Sequence, residues 1–227
     1  MRAMFLASAL TMWALQACGQ AAPPAGAEIQ IEFEHPGMSP AHWTMIIHPD
    51  GSGHFHALPR NPPQQFENTE NRRIPDLGEI DRDVNLSERY ARRVFDVAQR
   101  HKYFNEECES RQKVAFSGWK KLSYQGQDGS GSCRFNYGAD KEINALSDSL
   151  LSVEETIIFG ERLKLYLQYD RLGLDTEMEG LWAAAEDSRA EQFGSIRDIL
   201  DRLCSDPRVL ERVKKRARML LARIDDE

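Results

Sequence analysis

The stretch that decides the fold is Glu28-Ile29-Gln30-Ile31-Glu32-Phe33-Glu34, in which apolar and polar residues alternate without a break. Successive side chains of a β-strand point to opposite faces, so Ile29, Ile31 and Phe33 share one face. This pattern predicts a β-strand that buries one face and exposes the other to water.

The residues that follow predict a β-hairpin. A His35-Pro36-Gly37 break leads into a second strand, His42 to His48. Asp50-Gly51-Ser52-Gly53 is a turn signal, and we expect the chain to return as a strand from His54 to Leu58. Residues 59–83 are proline-rich and polar, without periodicity, and we expect a long surface connection there.

A helix and a second hairpin come next. Apolar residues recur at helical spacing from Ser87, a suitable N-cap, to Phe104. The second hairpin is predicted from Trp119 to Tyr124 and from Cys133 to Tyr137, joined by a turn at residues 127–131. The large side chains of its first strand indicate a core strand or, at a sheet edge, a docking site for an extended peptide.

From Asp140 to the end the pattern is helical. It predicts one long helix that continues through Gly160 to Tyr169, a stop with Gly173 in a left-handed position, and three further helices. The last of these opens with Asp206 as N-cap. The predicted class is α+β, with N-terminal antiparallel β-hairpins and one packed helix (residues 28–139) followed by a C-terminal α-helical bundle (residues 140–227).

The N-terminal segment, MRAMFLASALTMWALQACGQ, predicts export. A single Arg2 precedes an apolar run of signal-peptide length, which is too short to span a bilayer. Its end, Leu15-Gln16-Ala17-Cys18, resembles the lipobox of bacterial lipoproteins. That resemblance implies a signal peptide over residues 1–17, acylation of Cys18 by groups such as palmitate, and a tether over residues 18–27. An ordinary secretory signal and a chance apolar start are the alternatives.

The same resemblance implies a location in the cell envelope. Gly19 after the cysteine favours the outer membrane, with the body facing the periplasm or the cell surface. The formal net charge is −7, and −8 once Arg2 is removed. This acidity argues against nucleic acid as a partner, because nucleic acids select basic surfaces. Membrane attachment is therefore expected through the acyl chains alone.

Cysteine usage fits an oxidising compartment. If lipid occupies Cys18, then Cys108, Cys133 and Cys204 remain. We expect a disulfide between Cys108, which follows a helix, and Cys133, which lies in an alternating strand. Cys204 falls among the apolar residues of a helix and is expected to be a buried free thiol.

Histidines are concentrated in the first hairpin. His54 and His56 share one strand face, and His48 would stand opposite His54 if the loop has three residues, so these three could meet one metal ion. The alternative is a row of imidazoles facing solvent, and we predict no cofactor. The shared face of the strand offers no carboxylate or thiolate as a further ligand.

Motifs for catalysis are lacking in the sequence. It contains neither a Gly-x-Ser-x-Gly elbow nor a glycine-rich phosphate loop, and no nucleophile–base pair can be named. The acidic run Glu106-Glu107-Cys108-Glu109 is expected to be a solvated loop. Basic residues between Arg212 and Arg218 are expected on the wet face of the last helix.

Two family resemblances complete the sequence evidence. Residues 28–138, with their strand, Asp-Gly-Ser-Gly turn, strand and helix order, resemble small α+β modules such as emfourin-like protease inhibitors. The chain is also similar to uncharacterised bacterial lipoproteins that carry Arg-Leu-Gly-Leu-Asp, here Arg171 to Asp175. We predict a lipid-anchored, non-catalytic module that binds an envelope protein or peptide, with a metal-binding protein that uses His48, His54 and His56 as the alternative.

Overall fold

The computed structural model describes residue 24, residues 26–59 and residues 77–224. The predicted signal peptide, its lipidation at Cys18 and most of the tether lie outside the described residues.

Within those residues four strands are followed by one helix, two further strands and then four helices. The strands are β1 (Glu28–Glu34), β2 (His42–Ile47), β3 (Ser52–Leu58), β4 (Ile80–Asn85), β5 (Trp119–Gly126) and β6 (Gly129–Phe135). The helices are α1 (Glu88–Arg100), α2 (Lys141–Tyr169), α3 (Gly173–Glu186), α4 (Arg197–Ser205) and α5 (Glu211–Ile224). Short 3₁₀ turns follow α1 and precede α4. The predicted α+β class is confirmed.

The six strands form one antiparallel sheet with the order β4-β3-β2-β1-β5-β6. The strand with the strictest alternation, β1, lies inside the sheet and pairs with both β2 and β5. Its odd-numbered residues Ile29, Ile31 and Phe33 are buried, as the sequence predicts. Because β5 pairs with β1 on one side and β6 on the other, it is not the edge strand that peptide docking by strand addition requires.

One face of the sheet is covered by α1 and the first half of α2. Trp43 lies at the centre of this core, 1% exposed, between the rings of Phe33 and Phe55. The helices begin where side chains cap them: Ser87 Oγ accepts from Tyr90 N in α1, which confirms the predicted N-cap. Asp140 accepts in the same way from Glu142 N in α2.

A second core lies among the helices. It is formed by the end of α2 together with α3, α4 and α5. Because residues of α2 up to Ile158 belong to the sheet core and residues from Leu163 belong to the helical core, this one helix joins the two halves.

The fourth strand was not predicted from sequence, which assigned residues 59–83 to a surface connection. Of its residues only Ile80 and Val84 are apolar and buried, because Arg82 takes the inward position between them. Arg82 instead reaches the helices, where Nη1 donates to Glu161 Oε1 at 2.7 Å and Nη2 to the carbonyl of Ser195 at 2.8 Å.

Several predicted boundaries were also wrong. α1 ends at Arg100 rather than Phe104, and β5 and β6 meet in a two-residue turn because Gly126 pairs with Gly129. Gly173 is the first residue of α3, not a left-handed stop. α5 begins at Glu211, so Asp206 does not cap it but accepts from Arg208 N in the preceding turn.

Candidate functional site

The second face of the sheet has no helix packed on it within the described residues, and we call it the open face. Along each strand its side chains alternate with those of the core, and every one of them keeps contact with solvent. It is formed by Gln30, Glu32, Glu34, His42, Thr44, Ile46, Ser52, His54, His56, Asp81, Asp83, Trp119, Lys121, Ser123, Ser132 and Arg134. Cross-strand neighbours on such a face are fixed by the register of the strands.

Histidines and carboxylates pair across the strands of the open face. His54 lies between two carboxylates of β4, with Nε2 3.1 Å from Asp81 Oδ1 and Nδ1 3.1 Å from Asp83 Oδ1. His56 Nε2 is 2.8 Å from Glu79 Oε1. These carboxylates come from β4 and from the residue before it, and the sequence did not reveal this strand.

The register also determines the position of His48, which the sequence left open. Ile46 stands opposite His54, and the amide of His48 donates to the carbonyl of Ser52 at 2.8 Å, so His48 closes the turn opposite Ser52. Across residues 24, 26–59 and 77–224, no group of three or more His, Cys, Asp or Glu residues is arranged to hold a metal ion.

A further histidine pair links β2 to β1. His42 Nε2 lies 3.2 Å from Glu32 Oε1, and Lys121 Nζ lies 3.7 Å from the other oxygen of the same carboxylate. The hydrogen bond with His42 and the nearby Lys121 charge lower the pKa of Glu32 below its ordinary value, against the opposing effect of partial burial.

Aromatic side chains gather at one end of the open face, and we call His35, Phe116, Trp119 and Arg134 the aromatic cluster. The His35 and Phe116 rings stack at 5.4 Å, and Phe116 meets Trp119 edge-on at 5.9 Å. The Arg134 guanidinium lies over the Trp119 ring, 4.6 Å from its centroid. Phe116 is nevertheless 50% exposed and Trp119 37% exposed.

Other exposed apolar side chains lie at this same end of the sheet. Leu58 stands on the cross-strand row of Trp119, because Trp119 pairs with Glu34, Glu34 with His42, and His42 with Leu58. Beside the cluster a groove of about 470 Å³ is lined by Glu32, Glu34, Trp119, Lys121, Ser132, Cys133 and Arg134. An apolar cluster beside a groove with charged walls is the usual composition of a binding site.

The loop that carries Phe116 is held in place by Asn136. The Asn136 side chain accepts from the amide of Ser117 at 2.7 Å and donates to the carbonyl of Ala115 at 3.1 Å. The buried Lys120 adds two bonds, from Nζ to the carbonyl of Asn136 at 3.0 Å and to Ser117 Oγ at 3.3 Å. The exposed ring of Phe116 is thus presented by a fixed backbone.

The predicted disulfide reinforces this loop. Cys108 and Cys133 are bonded, which confirms the pairing and places a covalent link between β6 and the segment before the loop. The carboxylate of Glu109 accepts from the amide of Asn136 at 2.6 Å, and Ser110 N donates to the carbonyl of Tyr137 at 2.8 Å. The acidic run at 106–109 is therefore partly structural rather than a solvated loop.

Ser117 and Lys120 place a hydroxyl beside an amine, a contact that no sequence motif indicated. Burial lowers the pKa of Lys120, while the charges of Asp148 and Glu109 act in the opposite direction. A lysine beside a serine hydroxyl can act as a general base only when its amine is neutral and free to accept a proton. Because Lys120 donates to both Ser117 and Asn136, the contacts assign it to anchoring the loop.

The remaining sequence candidates have structural partners. Cys204 is free, as predicted, but only partly buried, and burial raises the pKa of its thiol. In the basic run of α5, Arg212 and Arg216 both bind Asp175 of α3 at 2.6 and 3.1 Å. The run therefore joins two helices in addition to facing water.

A second groove, of about 590 Å³, lies between α1 and α2. Its floor is apolar at Val97 and Leu146, and Ser149 bonds there to the Tyr90 hydroxyl and the Glu191 carboxylate. These three polar groups satisfy one another, so they do not form a set that is directed at a ligand.

No protein-family model matches this chain, and the curated proteins include no significant match to it. In the part of the chain that the structure describes, no helix has both the length and the apolar character needed to cross a membrane. The resemblances to lipoproteins and to emfourin-like modules therefore stay predictions.

Proposed function

We propose that this chain is an exported envelope protein, anchored by lipid at Cys18, that binds another protein or a peptide through the aromatic cluster and the adjoining open face. The single observation that carries the proposal is the exposure of Phe116 and Trp119 on a backbone fixed by Asn136, Lys120 and a disulfide. Exposed aromatic side chains at preorganised positions are typical of interface anchors, because little entropy is lost when they bind.

The position of the cluster relative to the proposed anchor supports a protein partner. The chain enters β1 at Glu28, which pairs with Gln125, whereas Trp119 pairs with Glu34 at the other end of the strand. A seven-residue strand spans about 20 Å. A tether at Glu28 thus leaves the aromatic cluster at the end of the sheet that points away from the anchor.

Site-specific photo-crosslinking in intact cells tests the docking surface. A photoreactive residue at position 116 should give a discrete crosslinked product, and the same residue at Leu172, an 87% exposed position in the helical half, should not. Trp119→Ala should remove the product at position 116. Equal crosslinking from both positions would contradict the proposal.

A separate experiment tests the anchor. Cys18→Ala should move the protein from the membrane fraction to the soluble fraction after cell fractionation. Unchanged membrane association would show that lipid at Cys18 does not hold the protein.

A further inference from the structure

The charges of the open face are distributed unevenly. The cations of β5 and β6 have local partners, since Lys121 lies near Glu32 and Arg134 Nη2 lies 3.5 Å from Glu34 Oε2. At the opposite side, the charged side chains that β4 and the residue before it contribute to the open face are all carboxylates, which are Glu79, Asp81 and Asp83. Their partners in β3 are His54 and His56, and two of the three carboxylates share His54, so this side of the open face carries more carboxylates than basic side chains.

The exposure of these carboxylates leaves them available to a ligand. The side chains of Asp81 and Asp83 are 65% and 97% exposed, and that of Glu79 is 59% exposed. Each retains a carboxylate oxygen that accepts no hydrogen bond from its histidine. Contacts between these carboxylates and a cation would be favourable, and an approaching anion would be repelled.

We infer that the partner presents a basic extended segment to the open face, with an apolar side chain on the aromatic cluster and lysine or arginine side chains at Asp81 and Asp83. This inference rests on the proposed function and adds the chemistry of the partner. Arg134 already shows the matching contact within the chain, because its guanidinium stacks on Trp119 while facing a carboxylate.

The width of the sheet sets the spacing in such a segment. Four strand spacings separate β5 from β4, which corresponds to about 19 Å. An extended chain covers this distance in about six residues. The segment does not extend the sheet at the β6 edge, because residues 103–105 run along that edge, where a Cβ on Gly131 would lie 2.5 Å from the carbonyl oxygen of Tyr103.

Charge argues against two other occupants. A second copy of this chain carries the same net negative charge, and the β5 and β6 cations that it would offer are already paired. An anionic lipid surface would meet the carboxylates of the open face and be repelled. A basic protein segment is the occupant that the charges favour.

Two synthetic peptides test the inference on the purified full-length chain in neutral detergent. Each has ten residues with phenylalanine near one end and three charged residues six positions further on, lysine or arginine in one peptide and glutamate in the other. Isothermal titration calorimetry should show the basic peptide binding at least about tenfold more tightly at low salt, with the difference shrinking as salt is added. Equal affinity for the two peptides would overturn the inference.

Matched variants separate this inference from the proposed function. Asp81→Asn with Asp83→Asn should weaken the basic peptide at least about fivefold, whereas Asp187→Asn, an exposed acid remote from the sheet, should not. Loss of binding in Trp119→Ala without loss in the double Asn variant would keep the docking surface and refute the basic partner. Binding unchanged in both variants would refute both. Co-sedimentation of Cys18→Ala protein with phosphatidylglycerol vesicles, or concentration-dependent dimerisation, would also overturn the inference.

Discussion

The covered face and the open face belong to the same six strands but differ in how much they contribute to stability. The covered face buries Trp43, Met45 and Phe55 together with residues of two helices. The open face carries solvent-exposed ion pairs, each of which contributes about 0–1 kcal/mol to stability. One face therefore holds the fold together, and the other is free to vary its chemistry for recognition.

Two tryptophans, one on each face, give the largest expected difference. Trp43→Ala should lower the free energy of unfolding by about 3–5 kcal/mol, because it leaves a cavity between Phe33 and Phe55. Trp119→Ala should cost about 1 kcal/mol or less, because its ring is partly exposed and loses only the stacking with Arg134 and Phe116. Urea denaturation followed by far-UV circular dichroism measures both values.

If Trp43→Ala and Trp119→Ala lower the free energy of unfolding equally, the two faces do not differ in their contribution to stability. A large loss from Trp119→Ala would mean that the aromatic cluster is part of the core. Phe116→Ala serves as a further check on the exposed side, because this ring is 50% exposed and its loss should also be tolerated.

Removal of the disulfide should have the next largest effect. Replacing both Cys108 and Cys133 by serine should destabilise the fold by about 3–4 kcal/mol, since the bond closes a loop with a sequence separation of 25. Cys204→Ser is the matched control and should cost much less, because that thiol is free. If the two variants unfold at the same urea concentration, the bond does not stabilise the loop that presents Phe116.

The covered face could be predicted from sequence more completely than the open one. The alternation at Ile29, Ile31 and Phe33 predicts burial directly, because the apolar residues are the ones that face the core. The disulfide could likewise be predicted from cysteine count and the position of Cys133 in its strand. In both cases a local pattern determines the outcome.

The open face depends on pairings between distant segments. β4 was missed because Arg82 interrupts its apolar alternation, and the partner that makes this position favourable, Glu161, lies 79 residues away in the chain. Because β5 pairs with β1, Trp119 lies on the open face of an inner strand. No local sequence pattern indicates this strand order. The position of His48 depended in the same way on a register that the sequence left open.

A pH experiment examines the helical layer that covers the sheet. Burial, together with the charge of neighbouring Glu155, raises the pKa of Glu154 on α2 to about 8, while Arg162 acts in the opposite direction. The unfolded chain ionises this carboxyl near its ordinary value, and the folded chain does so only near pH 8. Stability from this group is therefore present at low pH and is lost as the pH rises through this interval.

Glu154→Gln should remove that pH dependence. We expect the variant to be more stable than the parent at pH 8, by about 1.4 kcal/mol for each unit by which folding raises the pKa of Glu154, and to differ little from it near pH 4. Thermal unfolding across this pH range measures the change, with the exposed Glu179→Gln as control. A variant that tracks the parent at every pH would show that Glu154 is ionised without cost in the folded protein.

The smallest expected effect on stability belongs to the carboxylates of β4. Asp81→Asn with Asp83→Asn removes the ion pairs of His54 but also relieves repulsion with Glu79, so the free energy of unfolding should change by no more than about 0.5 kcal/mol. Urea unfolding at low and high salt measures this change. A loss above about 1 kcal/mol would show that these pairs help to hold β4 in the sheet. The open face would then contribute to stability at that strand, contrary to the proposal. A near-zero change, together with weaker binding of a basic peptide, is the combination expected of a surface that contributes to recognition and not to folding.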